Sequence, residues 1–315
     1  MGIAFCFTFV ALIKTMVKMQ FTRGLLYAAL ITLSVASCTV SKQVNRLSSE
    51  ATAAYNSSDY GLAYTLYDSI ISLNPAGKKN LNALVYTRGG VAAWEIGENE
   101  KSIEFLEQAT RMNGIDAKGL FVLAKAYKAK DNLSREIINL ETYLDLYNDG
   151  NEVDEVRAQL FLAFVRSENW DSSYPMWESV NGAQTKDAEL LTGYVLTLNN
   201  LDKNDEVLPI AERLLRVKPQ SIVGKEAVAI QLYKDTEERY QREMKAYQKN
   251  RTSSQYKRLL KQLDTINADF KTARDYLEEL YKLNPESRYA TYLGNIYTRF
   301  DNKSKARYYY NKAKQ

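Results

Sequence analysis

Any chemistry in this chain has to work without histidine, because its 315 residues contain none. That removes the commonest general base, every Ser/His and Cys/His nucleophile pair and the usual zinc ligand. The two cysteines, Cys6 and Cys38, both lie near the start, so the chain beyond Cys38 holds no thiol for metal, redox or disulfide chemistry. Carboxylates are what remain. Glu237-Glu238 and Glu278-Glu279 are adjacent in sequence, and adjacent helical residues point in different directions. They read as solvated faces rather than acid/base pairs. Gly89-Gly90 suggests a phosphate loop, but no G-x-x-x-x-G-K, G-x-G-x-x-G, C-x-x-C or H-E-x-x-H spacing occurs. Close packing of helices accounts for the two glycines better. The sequence therefore predicts no enzyme: no catalytic residue, no metal ligand and no cofactor.

Cys38 is the exception, and its setting is a leader. M-Q-F-T-R (19–23) gives a basic start and G-L-L-Y-A-A-L-I-T-L-S-V (24–35) an apolar run of signal-peptide length, too short to span a bilayer. Then follow Val35, Ala36, Ser37 and Cys38. Small residues ahead of a cysteine, directly after an apolar run, resemble the bacterial lipoprotein signal, or lipobox. The resemblance implies cleavage before Cys38, a diacylglyceryl group on its thiol and acylation of the new amine, an anchor of several chains. The other reading is an ordinary residue near a plain cleavage site. Residues 1–18 carry a second apolar run from Gly2 to Ile13, which a single signal does not need. Initiation at Met16 or Met19 is the simplest account, with 1–18 a gene-model extension and 19–37 the signal peptide; the alternative is a real double-length anchor. Polar residues 38–46 then form a lipidated tether.

Net charge is +4, but the leader holds Lys14, Lys18 and Arg23 and no acidic residue. From Cys38 onward the chain is within one charge of neutral, which gives no general drive toward nucleic acid or an anionic membrane. Tyr is frequent (23) against 5 Pro and 14 Gly, a balance suited to helix pairs.

What positions everything else is a repeat. In S-R-Y-A-T-Y-L-G-N-I-Y-T-R-F-D-N-K-S-K-A-R-Y-Y-Y-N-K-A-K-Q (287–315), Leu293, Gly294 and Tyr297 fall on one helix, D-N makes a turn, and Ala306, Tyr310 and Ala313 fall on a second. Small residues at Gly294 and Ala306 let two antiparallel helices approach, with tyrosines beside them. The pattern resembles the tetratricopeptide repeat (TPR), L-G-x-x-Y, then Ala, an aromatic and Ala. The same template runs backward along the chain. It finds Ala51, Tyr55, Tyr60, Ala63, Tyr67 and Ile70 closing at Asn74-Pro75, then Tyr86, Gly89, Gly90, Trp94, Ser102, Leu106 and Ala109. A third copy has Leu123, Ala124, Tyr127, Ile137, Leu140 and Tyr143. A degenerate fourth has Leu160, Phe161, Phe164, Trp177 and Val180, with Pro175 predicting a late or kinked second helix. The fifth runs from Leu190 through Val207, Ala211 and Leu214 to Pro219.

Between Ser221 and Pro285 the chain is longer than one repeat. Ile222 to about Asn250 reads as one helix. R-T-S-S is a turn, and Tyr256, Leu259, Leu263, Ile266, Phe270, Ala273, Leu277 and Leu280 step by three and four as a coiled-coil seam. The expected fold is all-α: a TPR-type helical-repeat solenoid with one elongated antiparallel helical hairpin. Its parts are about five repeats over 47–221, the hairpin over 222–284 with a tip near Lys249-Asn250-Arg251, and a C-terminal repeat over 285–315. The hairpin either folds back on its own solenoid or projects as a docking arm for a partner.

A TPR solenoid presents a groove lined by the first helix of each repeat. Template position puts Tyr55, Leu84, Trp94, Phe121, Lys125, Lys128 and Leu162 in it, an apolar-aromatic floor with lysines that suits an acidic peptide; the alternative for each is packing within its own repeat. The family's carboxylate clamp of Lys and Asn is not in register. The resemblance thus implies a non-catalytic, lipid-anchored adaptor holding envelope proteins through the groove and the hairpin. It would sit on the periplasmic side of a bacterial outer membrane, in assembly, secretion or cell-wall machinery, with no nucleic-acid partner. T-V-S-K-Q after Cys38 lacks the acidic cluster of a surface-export signal. The alternative is a glycan- or nutrient-binding lipoprotein with exposed Trp and Tyr in one pocket, against which Trp94, Trp170 and Trp177 are few and scattered. A muramidase-like enzyme would need a cleft with two close carboxylates, which a regular solenoid does not offer.

Overall fold

The computed structural model describes residues 42–74, 81–180, 182 and 186–315. The leader 1–37, Cys38 and Pro75 lie outside the described residues. Among those described the chain is all-α, with fourteen helices and no strand, arranged as consecutive helix pairs of which one is an elongated hairpin. The helices form consecutive pairs: α1 (42–56) with α2 (Tyr60–Ser72), α3 (Ala83–Glu95) with α4 (Asn99–Arg111), α5 (Ala117–Ala129) with α6 (Leu133–Leu146) and α7 (Val153–Arg166) with α8 (Trp170–Ser179). Then come α9 (Ala188–Asn200) with α10 (Asn204–Val217), α11 (Ile222–Lys249) with α12 (Ser253–Leu283) and α13 (Ser287–Arg299) with α14 (Lys303–Ala313). Two compact units divide the chain, one ending at Asn139 and the other beginning at Leu140.

One turn recurs in six of the pairs. The residue closing the first helix has positive φ: Ser58 (61°), Gly97 (85°) and Asp131 (55°) in the first unit, Glu168 (54°), Asp202 (54°) and Asp301 (52°) in the second. Each donates its N–H three residues back, and the next residue donates five residues back, as in Ser58 N to Tyr55 O (3.0 Å) and Asp59 N to Ala54 O (2.9 Å). The same two bonds occur at Asp301 N to Thr298 O (3.1 Å) and Asn302 N to Tyr297 O (2.8 Å). This Schellman closure satisfies carbonyls that the ended helix leaves open. The next residue often caps the second helix, as where Asp59 Oδ1 accepts from Leu62 N at 3.1 Å and Asn302 Oδ1 from Lys305 N at 3.1 Å.

Counting from that turn aligns the core. Five residues on stand Ala63, Ser102, Glu136, Ser173, Val207 and Ala306, none more than 6% exposed. Small side chains there meet small residues on the first helix. A Cβ on Gly90 would lie 2.6 Å from Leu106 Cγ and 3.1 Å from the Ser102 carbonyl, and one on Gly294 would lie 2.6 Å from Tyr310 Cε1. Gly89 faces Tyr67 and Phe105. The glycine pair is a packing device.

Three expectations are corrected. Residues 42–46, expected in the tether, are helical within α1, and Val44 packs on the cluster of Ala51, Ala54, Ala63, Tyr67 and Ile70. α8 begins at Trp170, in the register of the other second helices, so Pro175 does not delay it; the helix ends after 10 residues. The adjacent glutamates are not simply solvated. Glu278 accepts from Tyr297 OH (2.5 Å), Glu279 pairs with the buried Lys225 (2.5 Å) and Glu237 with Arg299 (2.5 Å).

The long hairpin departs from the pattern at one point. Aligned on their N-caps, Asp187 and Ser221, α9 turns at Asp202 where α11 has Thr236, fully buried and still helical. α12 rejoins the register with Ala273, Leu277 and Leu280, all buried as expected of a second helix. Thr236 to Ala268 is thus an insertion at the turn. Its root is clamped: Arg299 lies over the Tyr240 ring at 3.7 Å while pairing with Glu237, and Arg239 pairs with Asp269. Along the seam Leu259 and Ile266 are buried, whereas Tyr256 at the tip is 49% exposed.

Tyrosine-to-glutamate bonds tie successive pairs. Tyr127 donates to Glu107 on the preceding helix, and Tyr297, at the same distance before its turn, donates to Glu278. Burial alone would raise the Glu278 carboxyl, but bonds from Tyr297, Lys305 and Tyr309 outweigh it and hold it below the ordinary value. A depressed carboxyl stabilises the fold above its unfolded-state value of about 4.3 and loses that contribution as pH falls through the folded value.

Two predictions follow from this packing. Gly90→Ala gains about 1 kcal/mol of helix propensity but overpacks against the fully buried Leu106 side chain and the Ser102 carbonyl, at a cost of about 1–3 kcal/mol, so denaturant unfolding shows net loss. Gly294→Ala meets only the half-exposed Tyr310 ring and comes out near neutral; equal losses at the two sites would refute the argument. Second, the melting temperature falls on acidification below about pH 4.3, and Glu278→Gln makes that fall shallower. An unchanged acid slope would remove Glu278 from the account.

Candidate peptide-binding face

In the first unit α1, α3 and α5 bring a cationic and aromatic group together. The Tyr55 ring on α1 has Arg88 Cζ from α3 and Lys118 Nζ from α5, each 5.6 Å from its centroid. Tyr60 meets it edge-on at 5.8 Å, and Lys118 reaches the Tyr60 hydroxyl at 3.5 Å. Arg88 Nη1 donates to Thr52 Oγ1 at 3.2 Å, which fixes the guanidinium across α1. Burial, and then the Asp116 carboxylate, push the Tyr55 phenol well above its ordinary value, so it remains a neutral donor. Asp116 is itself the α5 cap, accepting from Gly119 N at 2.8 Å.

The seven residues singled out by template position are distributed as follows. Tyr55 is at the centre of this group. Leu84 is half-buried beside a small pocket of about 90 Å³ that also takes in Thr52, Tyr67 and Arg88. Trp94 is half-buried against Val91, Leu106 and Val122. Phe121 is 3% exposed and Lys125 Nζ lies 4.5 Å over its ring, so an ammonium rather than an aromatic floor is offered there. Lys128 is half-buried in the last turn of α5. Leu162 belongs to the second unit, packed on the cluster of Phe161, Leu191 and Leu198. Arg88 and Lys118 were missed. Lys118 starts the stripe that Phe121, Lys125 and Lys128 continue by steps of three, four and three, and Arg88 lies one turn beyond Leu84; extending each stripe finds both.

In the second unit the comparable groups are engaged with one another. Arg288 and Tyr289 both bond Glu226, Asn295 donates to Tyr233 OH at 3.0 Å, and Tyr233 packs on Tyr292 at 4.8 Å. Trp177 stacks on Tyr194 at 4.3 Å, with Phe161 alongside at 5.3 Å, which spends its ring on the core rather than on a sugar. Contrary to expectation there is a cleft with carboxylates. Where α11 rises past the α9–α10 turn it leaves an open notch of about 520 Å³ lined by Asp202, Asp205, Glu206, Asp235 and Glu238, with Lys203 and Lys234. Among the described residues no group of His, Cys, Asp and Glu is placed to hold a metal ion, and no helix is long and apolar enough to cross a membrane.

The geometry defines a helical-repeat protein with a cationic-aromatic face on its first unit. No family model matches the chain, and no curated protein matches it. Solved structures do resemble it. MamA AMB-1 is 18% identical at a TM-score of 0.42, over 60% of this chain and 92% of that one. YrrB, described as a TPR protein with an unusual peptide-binding site, is 14% identical at 0.46, over 56% and 87%. A tetratricopeptide repeat protein from Parabacteroides merdae is 14% identical at 0.43, over 86% and 92%. These likenesses carry no more than the helix-pair arrangement already described.

A ligand for this face must bring negative charge to Arg88 and Lys118. Replacing both with Gln is expected to weaken binding of an acidic peptide by at least about tenfold, with rising salt weakening the wild type toward the same level. Fluorescence anisotropy with an acidic and a charge-neutral library peptide reads this; equal loss for both peptides would contradict a charge-based face.

Proposed function

We propose that this chain is a non-catalytic adaptor that binds acidic peptide segments of partner proteins and is held at a bacterial envelope membrane by lipid on Cys38. The observation that carries the reading is the Tyr55 ring flanked by Arg88 and Lys118 from two further helices. A tyrosine face with two cations beside it receives an extended or helical segment through apolar contact and gains selectivity from charge. The V-A-S-C stretch after an apolar run supports the anchor, and the outer membrane with its periplasmic side is the placement that accords with T-V-S-K-Q after Cys38. Such an adaptor would serve assembly, secretion or cell-wall machinery.

The test is mild crosslinking of intact envelopes with a Cys38→Ala strain alongside, followed by mass spectrometry of what co-purifies. A defined set of envelope proteins, recovered from the wild type and lost from both Cys38→Ala and Arg88→Gln/Lys118→Gln, is the expected result. Recovery of the chain alone would overturn the adaptor reading, and glycan binding would then be tested.

A further inference from the structure

The inserted arm carries a charge distribution unlike the rest of the chain. From Arg242 to Lys261 there are seven basic residues and one acidic one, Glu243, while the remainder of the chain from Cys38 has an acidic excess. Glu243 is itself paired with Arg258 at 3.5 Å. Lys245, Lys249, Arg251, Lys257 and Lys261 are all exposed. They sit on both helices and the turn between them, so the charge surrounds the tip rather than lining one side. α11 has 28 residues where the other first helices of the repeats have 13 to 15, which carries the tip roughly 20 Å beyond the point where the others turn.

Two apolar side chains stand among these cations. Tyr256 is 49% and Leu260 46% exposed, four residues apart on one face of α12, with Lys257 and Lys261 following each. Leu260 is off the seam that Leu259, Leu263 and Ile266 form, so the partner helix does not require it. Basic side chains around exposed Tyr and Leu suit the headgroup region of a bilayer, where cations meet lipid phosphate and the apolar groups sink to the acyl boundary. A convex tip has no walls to enclose a peptide or stack a base, but it can rest on a flat anionic sheet.

We propose that the tip of the α11–α12 hairpin docks on the anionic phospholipid surface of a membrane, a contact separate from the lipid on Cys38 and from the peptide face. It rests on the membrane location proposed above, though not on the adaptor role. Each basic side chain near an anionic leaflet contributes about 1 kcal/mol, so a few of them hold the arm down while leaving the contact reversible and salt-sensitive.

The experiment uses the full chain reconstituted into vesicles, with a photo-crosslinking residue in place of Gln248 at the tip. On phosphatidylcholine mixed with phosphatidylglycerol, illumination is expected to give a lipid adduct, and on phosphatidylcholine alone little. Lys245→Gln/Lys249→Gln/Arg251→Gln should lower the adduct at least about tenfold with unchanged helicity, and raised salt should do the same to the unaltered tip. Equal adduct on both vesicle types, or insensitivity to charge and salt, overturns the proposal. So does an adduct in whole envelopes that goes to protein or nucleic acid instead of lipid. Loss of the chain from the membrane fraction, or its retention, in Cys38→Ala cells reads the anchor separately from the tip.

Discussion

The rest of the structure depends on a turn of a few atoms. One residue in the left-handed region and two N–H groups reaching back three and five residues fix where each first helix stops and at what angle the second leaves. Once that is set, the position five residues on is buried in every one of these pairs, and it is held by Ala or Ser in four of the six. Apart from Gly97, the left-handed position is held by Ser, Asp and Glu, residues that bear some strain there. The two closing hydrogen bonds and the capped helix that follows offset it.

Electrostatics separates the regions of the molecule more than shape does. The first unit gathers Arg88 and Lys118 on tyrosine, whereas in the second unit Glu226, Glu237, Glu278 and Glu279 are each held by a tyrosine, lysine or arginine of a neighbouring helix. Those carboxylates hold neighbouring helices together. The surplus positive charge is collected on the arm. Near neutrality of the whole therefore conceals a local concentration of cations.

Much of the fold was legible because small residues and turn residues recur at fixed spacing, and those are the features that backbone approach dictates. Pro175 does not delay α8 because a proline inside a helix is costly mainly where the carbonyl four residues back has no other partner. Pro175 and Pro209 occupy the sixth residue of α8 and α10, and both are solvent-exposed, where water can satisfy that carbonyl. The face was half legible. α5 is buried over Gly119–Ala124 on nearly every side, so periodicity could not tell an inward ring such as Phe121 from a surface one, and Lys118 and Arg88 gain their significance from Tyr55 on another helix, which spacing within one helix does not reveal. Leu162 falls in a different unit, a division no local pattern encodes.

The insertion between Thr236 and Ala268 replaces a turn and leaves both repeat interfaces in register, so the length of the arm is free to vary without disturbing its support. Its facing is not. Each residue added to an arm rotates the tip by about 100° about the helix axis and advances it about 1.5 Å, whereas a change of seven residues in both helices restores the seam. Arms of this kind can therefore be lengthened or shortened only in quantised steps if the same side of the tip is to keep pointing the same way, and homologous hairpins of differing reach would be expected to differ by whole heptads.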